Sequence, residues 1–264
     1  MKVDVIISTY NRPDTLQRVL QGLDTQTLIA NEVVIADDGS GPATAALIRK
    51  MQKEVCFPLT HVWQADQGFQ LAKIRNKAIY QSTADYIIIL DEDCIPNRFF
   101  INDHVQLAKS GFLFQGKRVL VGPKMSKDFT QKTANSFRRL IFAGLQNKIS
   151  NAHHIFRISW LPAITSQRIS GTRGCNMGFF RKDLLAVNGF NENFIGWGRE
   201  DQEIVARLYK YGLKRKSHPF MAVCFHLWHP ENLRQAINKN DEILQQALAS
   251  DAFFTPNGII KQRS

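Results

Sequence analysis

Ile87-Ile-Ile-Leu-Asp-Glu-Asp-Cys-Ile-Pro96 runs from aliphatic side chains straight into three acids. A short apolar run bounded by polar residues is what a strand buried on both faces of a sheet requires. Adjacent carboxylates repel one another, and burial makes their charge more costly. The acids at its end are therefore either a solvated turn or the wall of a site that gathers positive charge. Pro96 is consistent with the strand breaking there.

Outward from this stretch the same rhythm recurs. Residues 3–8 and 32–37 are buried-strand runs of the same kind, and 59–63 is a shorter one. Residues 14–28 carry Leu16, Val19, Leu20 and Leu23 at helical spacing after Pro13, and 43–54 and 71–81 read as helices. With a strand over 85–90, the alternation builds βαβ units on a parallel sheet. Farther on the pattern loosens. Residues 119–122 read as a strand, 135–147 as a helix, and 150–168 as a loop or lid without a period. Residues 175–180 look extended, 181–188 and 199–211 helical, 221–225 a strand, and 231–249 a polar helix. No repeat, linker or low-complexity tract interrupts the chain.

In open parallel sheets, ligands bind beyond the carboxyl ends of the strands. Here the first strand ends in Ser8-Thr9-Tyr10-Asn11-Arg12-Pro13, the second in Asp37-Asp38-Gly39-Ser40, and the fourth in Asp91-Glu92-Asp93. One acidic turn is ordinary, but polar, acid-rich ends that the sheet must bring to a single edge make a site. No GxGxxG follows the first strand and no GxxxxGK[ST] occurs, which removes the main support for dinucleotide-binding and P-loop readings. The acids suit a hard divalent cation, which takes oxygen ligands and can bridge to a diphosphate.

Composition narrows the class further. The 264 residues are 44% hydrophobic and 22% charged, ordinary for a soluble globular protein. No apolar run is long enough to span a bilayer, and Met1-Lys2-Val3-Asp4 leads directly into a strand, so a cytoplasmic chain is expected. Cys56, Cys94, Cys175 and Cys224 form no CxxC pair and read as reduced, packed thiols. The formal net charge of +11 favours phosphates as partners. It is uneven: residues 124–173 hold nine Lys/Arg against Asp128 alone. Phe137, Ile141, Phe142, Phe156 and Trp160 are interleaved among them. This basic block is expected to face an anionic acceptor or a membrane leaflet, which would place the protein peripherally on the inner face of the cytoplasmic membrane. Nucleic-acid binding is the competing use of such charge. No nucleic-acid motif accompanies it, and the acid-rich strand ends would repel phosphate unless metal-loaded.

Thr9-Tyr-Asn-Arg-Pro13, Val34-Ile-Ala-Asp-Asp-Gly-Ser40 and Leu90-Asp-Glu-Asp93 closely resemble the N-terminal half of family 2 glycosyltransferases. Gly174-Cys-Asn-Met-Gly-Phe-Phe-Arg181, Gly189-Phe-Asn-Glu192 and Gly196-Trp-Gly-Arg-Glu-Asp-Gln-Glu203 resemble the C-terminal region shared by β1,4-galactosyltransferases and bacterial chondroitin-type polymerases. The likeness covers roughly residues 1–230, with the motifs in the right order. It implies an α/β GT-A fold, the Rossmann-like nucleotide-diphospho-sugar transferase architecture, with a mostly parallel sheet flanked by helices. The implied organisation is one catalytic domain over residues 1–230, with a nucleotide-binding half (1–122) and an acceptor half (123–230). A helical extension (231–264) follows.

The resemblance also implies roles. Thr9, Asn11 and Arg12 would line the base and ribose, and Asp37 or Asp38 would accept a hydrogen bond from uracil. Arg75 matches a position near the nucleotide, and Asn176 one near the donor. Asp93 would bind Mn²⁺ or Mg²⁺, with Asp91 facing the ribose or assisting the metal. His226 would complete the metal site, and His229 is the competing candidate. An imidazole ligand favours Mn²⁺. Asp201 matches the general base and Glu200 an acceptor-binding acid, with the acceptor sugar packed on Trp197. Arg199 stands where a second glycine is usual and Gln202 where an acid is usual; Arg199 could reach a phosphate or an acidic acceptor. The implied function is inverting, metal-dependent transfer of a sugar from a UDP-sugar donor to a glycan or lipid-linked glycan. Surface polysaccharide or lipopolysaccharide assembly is its setting. A nucleotide-sugar hydrolase or pyrophosphorylase is the alternative, although Thr9-Tyr-Asn-Arg12 replaces the glycine-rich, lysine-bearing loop of the latter.

Overall fold

Alternation decides how the long apolar runs bury themselves. The structure, a computed structural model, describes residues 1–230 and 235–261. In β1 (Val3–Thr9), Val3, Val5 and Ile7 enter one apolar layer while Ile6 enters another. In β2 (Glu32–Asp37), Val33 and Ile35 part from Val34 and Ala36 in the same way. After the short β3 (Leu59–Trp63), β4 (Tyr86–Asp91) divides Tyr86, Ile88 and Leu90 from Ile87 and Ile89. A sheet greasy on both faces needs a helix layer on each. α1 (Pro13–Asp24) and α2 (Pro42–Met51) cover the first face, and α3 (Leu71–Gln81) the second.

Beyond β4 come β5 (Cys94–Pro96), α4 (Phe100–Leu107), β6 (Phe112–Gln115), β7 (Lys117–Val121) and the short α5 (Pro123–Ser126) and α6 (Gln131–Ala134). Then follow α7 (Phe137–Leu145), β8 (Ile149–Ser150), a 3-10 turn over Ala152–Ile155, β9 (Ile164–Ser166) and β10 (Asn176–Phe180). The described chain finishes with α8 (Arg181–Ala186), α9 (Glu200–Lys210), β11 (Lys214–Ser217), β12 (Val223–His226) and α10 (Ile237–Ala249). The main sheet has the order β3-β2-β1-β4-β10-β6-β11-β9. Its first four strands are mutually parallel, β10 is antiparallel to its neighbours, and β9 is an antiparallel edge. A second sheet, β5-β12-β7-β8, stands beside it.

The expected strands and helices of the first half are present within a few residues of their predicted ends. The second half differs more. The 135–147 helix shortens to α7, and the 150–168 loop contains the 3-10 turn and β9. β5, α4, β6 and β11 are additions to the sequence reading. β11, Lys214-Arg-Lys-Ser217, has no apolar period and is a strand only because β6 and β9 pair with it. The start of the helix expected over 231–249 falls on residues 231–234, outside the described residues. Among the described residues no helix is long and apolar enough to cross a membrane.

Candidate functional site

Register brings the strand ends together. Ser8 on β1 lies opposite Asp91 on β4, and Thr9 opposite Asp37 on β2, so the polar termini share one edge. A cleft of about 850 Å3 opens there. Its walls include Thr9, Arg12, Asp38, Arg75, Asp91, Asp93, Arg118, Trp197, Glu200, Asp201, His226 and His229.

The two aspartates after β2 have different duties. Asp37 is fully buried and caps the turn: Oδ1 accepts from Ser40 N at 2.8 Å, and Oδ2 lies 2.8 Å from His61 Nε2. Burial opposes its ionisation, but these bonds outweigh that and hold its carboxyl below the usual range. Asp38 reaches the cleft, where Oδ1 accepts from Gln64 Nε2 at 2.6 Å and Oδ2 from Gln70 N at 2.7 Å. Asn11, in the left-handed region at φ 53°, ties the first turn to the second: its Oδ1 accepts from Gly41 N and its N–H donates to Ser40 Oγ. Neither Asp37 nor Asn11 lines the cleft.

The acids after β4 separate in the same manner. Glu92 folds back to accept from the Thr9 hydroxyl and from Tyr10 N, with Arg12 3.9 Å away. Burial pushes its carboxyl up to about 8. Asp93 turns the other way. Its Oδ1 lies 3.6 Å from His226 Nε2 and its Oδ2 3.2 Å from His229 Nε2. The second sheet makes this contact: β12 pairs antiparallel with β5 so that His226 opposes Cys94, and Leu227 N donates to Asp93 O at 2.8 Å. One ligand atom from each of Asp93, His226 and His229 lies within 4.8 Å of the others. Burial opposes the charge on Asp93, yet its bond to His229 and the nearby imidazoles keep its carboxyl below the usual range. Burial pushes the His226 imidazole down, toward the neutral form that ligates. One carboxylate and two imidazoles form a donor set for a divalent transition-metal ion. Both histidines enter the cluster, whereas Asp91 does not.

Asp91 belongs to a second cluster, built around Arg75. This guanidinium, on α3, is fully buried and donates to Ser8 Oγ, to Asp91 Oδ1 at 3.1 Å and to Asp201 Oδ1 at 2.9 Å. Glu200 Oε1 lies 3.8 Å from it, and the Phe190 ring sits beneath. Asp201 Oδ2 accepts from Gly174 N at 2.7 Å. A Cβ on Gly174 would lie 2.2 Å from that carboxylate, so any other residue there would displace Asp201. Burial, then the charge of Asp201, pushes Glu200 up to about 8. Its Oε2 has no hydrogen-bond partner among the described residues. Burial and the neighbouring negative charge thus favour its neutral form.

Trp197 lines the cleft between Gly196 and Gly198, both at positive φ. The loop is clamped from outside by α10, where Asn240 Nδ2 donates to Ile195 O at 3.3 Å and Gly198 O at 3.0 Å. Arg199 pairs with Asp241 on the same helix. Asn176, expected near a donor, is buried away from the cleft. Its Nδ2 donates to Lys117 O and Ala222 O, and its Oδ1 meets His104 Nε2, so it stitches the two sheets together. The sequence reading missed Arg118 in the cleft and the α10 clamp. In Lys117-Arg-Val-Leu-Val121 alternation alone marks Arg118 and Leu120 as facing the same way, but nothing local says what they face.

A mostly parallel sheet with an acidic cleft at its carboxyl edge and a His/Asp cluster beside it is the architecture of an open α/β fold with its ligand site at the strand ends. The model of glycosyl transferase family 2 matches residues 4–164, and that of the N-terminal domain of galactosyltransferase matches residues 163–230. The chain therefore belongs to glycosyl transferase family 2. It is 29% identical over 230 residues to a chondroitin synthase of Escherichia coli, an alignment covering 80% of this chain and 32% of that protein. The chain thus spans about a third of that relative's length. Among solved structures it resembles S. aureus TarS 1–349 in complex with UDP (TM-score 0.64, 16% identity, 95% of this chain and 65% of that one). It also resembles the mannosyltransferase PcManGT from Pyrobaculum calidifontis in complex with GDP-Man and Mn²⁺ (TM-score 0.57, 18% identity, 95% and 72%). The fold is GT-A.

Proposed function

We propose that the protein is an inverting, metal-dependent glycosyltransferase that moves a hexosyl or N-acetylhexosaminyl group from a UDP-sugar to a glycan acceptor. Bacterial surface polysaccharide or lipopolysaccharide assembly is its setting, on the cytoplasmic side of the membrane. The observation that carries this reading is the sharing of one cleft by the Asp93–His226–His229 cluster and the Glu200–Asp201 pair. The names of the relatives and the nucleotides in the neighbouring structures support it.

On this reading Thr9, Arg12 and Asp38 hold the nucleoside, with Asp38 on the base, and residues 1–122 form the donor half. Asp93, His226 and His229 would hold Mn²⁺ or Mg²⁺. When bound, that ion would neutralise the diphosphate as it leaves. Asp201 accepts the proton of the acceptor hydroxyl while that oxygen attacks the anomeric carbon and the bond to the β-phosphate oxygen breaks. A single displacement of this kind inverts configuration. Each Asp201 oxygen already accepts one anchoring hydrogen bond, which fixes its orientation and leaves a lone pair for the hydroxyl. Protonated Glu200 donates to the acceptor, whose ring packs on Trp197.

A thermal-shift screen of UDP-sugars with and without Mn²⁺ tests the scheme. Stabilisation is expected only with metal. Asp93→Ala should abolish that shift; Asp201→Ala should keep it and lose transfer by about 10²- to 10⁴-fold. A fully active Asp201→Ala would remove the base assignment.

A further inference from the structure

The basic block also carries an apolar face that the fold leaves unused. In α7, Leu140 and Ala143 point into the core. Phe137, Ile141 and Leu145, spaced i, i+4, i+8, form a line along the outer side, joined there by Phe142. Leu145 is 78% exposed and Phe142 61%. A surface helix of a globular protein ordinarily turns such a stripe inward. Arg138 and Arg139 are exposed among these residues, with Lys132 before the helix and Lys148 after it.

The neighbouring loop continues the surface. The Phe156 ring meets that of Phe137 edge-on at 5.5 Å, and Trp160 beyond it is 80% exposed. The loop is held in place: Arg157 Nε and Nη2 both donate to buried Asp103 Oδ1, at 3.1 and 2.7 Å. Trp160 is therefore presented on a braced segment. None of Lys132, Arg138, Arg139 and Lys148 pairs with a carboxylate among the described residues.

We propose that this face is a peripheral anchor for an anionic lipid bilayer, with Phe142, Leu145 and Trp160 entering the headgroup–acyl boundary and the four cations meeting lipid phosphates. Charge complementarity selects this occupant. Protein interfaces deplete lysine, whereas here exposed Lys132 and Lys148 flank the apolar line together with Arg138 and Arg139. Amphipathic helices in the membrane interface combine basic residues, aromatics and aliphatics in this way. The same stretch of chain continues to Thr172, Arg173 and Gly174 in the cleft wall. Lipid binding itself does not depend on the transferase reading.

The test is flotation of the full-length protein with phosphatidylcholine vesicles, with and without 30% phosphatidylglycerol. Binding is expected only to the anionic vesicles and should fall in high salt. Arg138→Gln/Arg139→Gln should weaken it about 10- to 30-fold, and Phe142→Ser/Leu145→Ser should do the same with an unchanged melting temperature. A second readout needs no folding assumption: brominated phosphatidylglycerol should quench wild-type tryptophan fluorescence, and Trp160→Phe should lose that quenching. Equal flotation on neutral and anionic vesicles, or quenching that survives Trp160→Phe, would overturn the proposal. So would a dimer in light scattering that these same substitutions dissolve, since the face would then belong to a second copy. UDP-sugar shifts with Mn²⁺, run on the same variants, report separately on the transferase reading and should be unchanged.

Discussion

The two walls of the cleft are built on opposite principles. The wall formed by β1, β2 and β4 is positioned by a parallel ladder, in which Ser8, Thr9 and Asp91 take their places because backbone register dictates them. The wall formed by Gly174, Trp197, Glu200 and Asp201 is positioned by side chains far apart in sequence. Asp201 is held by Arg75 and Gly174, and the Trp197 loop by Asn240. A ladder is cooperative and tolerates the loss of one side chain, whereas a wall held by single contacts fails with them. Arg75 is where the two meet, since it grips Asp91 on one side and Asp201 on the other.

Arg75→Met is therefore the largest perturbation available. It leaves Asp91, Asp201 and Glu200 facing one another with no cation, and removing one partner of a buried ion pair costs about 3–5 kcal/mol. Both metal-dependent nucleotide binding and transfer should fall, with Arg75→Lys restoring only part, because a single ammonium lacks the fork that reaches both carboxylates. Calorimetry with UDP plus Mn²⁺ checks it. Nucleotide affinity equal to wild type would show the two walls to be independent.

The same contrast explains what was legible in the sequence. The strands of the first half declare themselves by continuous apolar runs, and their polar ends follow from the topology. Asp91 and Asp93 are placed at the sheet edge by that logic alone. Nothing local distinguishes Asp37, which caps a turn, from Asp38, which faces the cleft. Asn176 sits in a motif of the right type, yet its amide is consumed by Lys117, Ala222 and His104, partners that only tertiary structure supplies. Pairing of β12 with β5 decides that both His226 and His229 approach Asp93, and β5 is a strand of three residues with no periodic signal.

Glu200 offers a pH test of the second wall. Its folded value of about 8 lies above the ordinary 4.5, so the folded state holds the proton more tightly. The resulting stability is complete below pH 4.5 and is lost as pH rises through about 8. Glu200→Gln keeps a neutral, hydrogen-bonding group of the same shape. The melting temperature of the variant should therefore gain on wild type progressively between those limits and level off above them. A constant difference across that range would mean that Glu200 is ionised in the folded protein.

The smallest expected effect concerns the clamp on the Trp197 loop. Asn240 is buried on α10, and its amide is shared among the carbonyls of Ile195, Trp197 and Gly198. Asn240→Ala removes those bonds without touching the cleft, a loss of about 1 kcal/mol. Because the loop carries Trp197 but not the Asp93 cluster, the loss should appear as a KM for acceptor raised about fivefold, with the UDP–Mn²⁺ shift unchanged. Asp241→Ala, on the same helix as Asn240, removes the ion pair to Arg199 and is the companion measurement. If α10 serves only to cover the core, both variants should lose melting temperature with KM unmoved. If it sets the wall, KM should rise in Asn240→Ala at temperatures where the protein is fully folded.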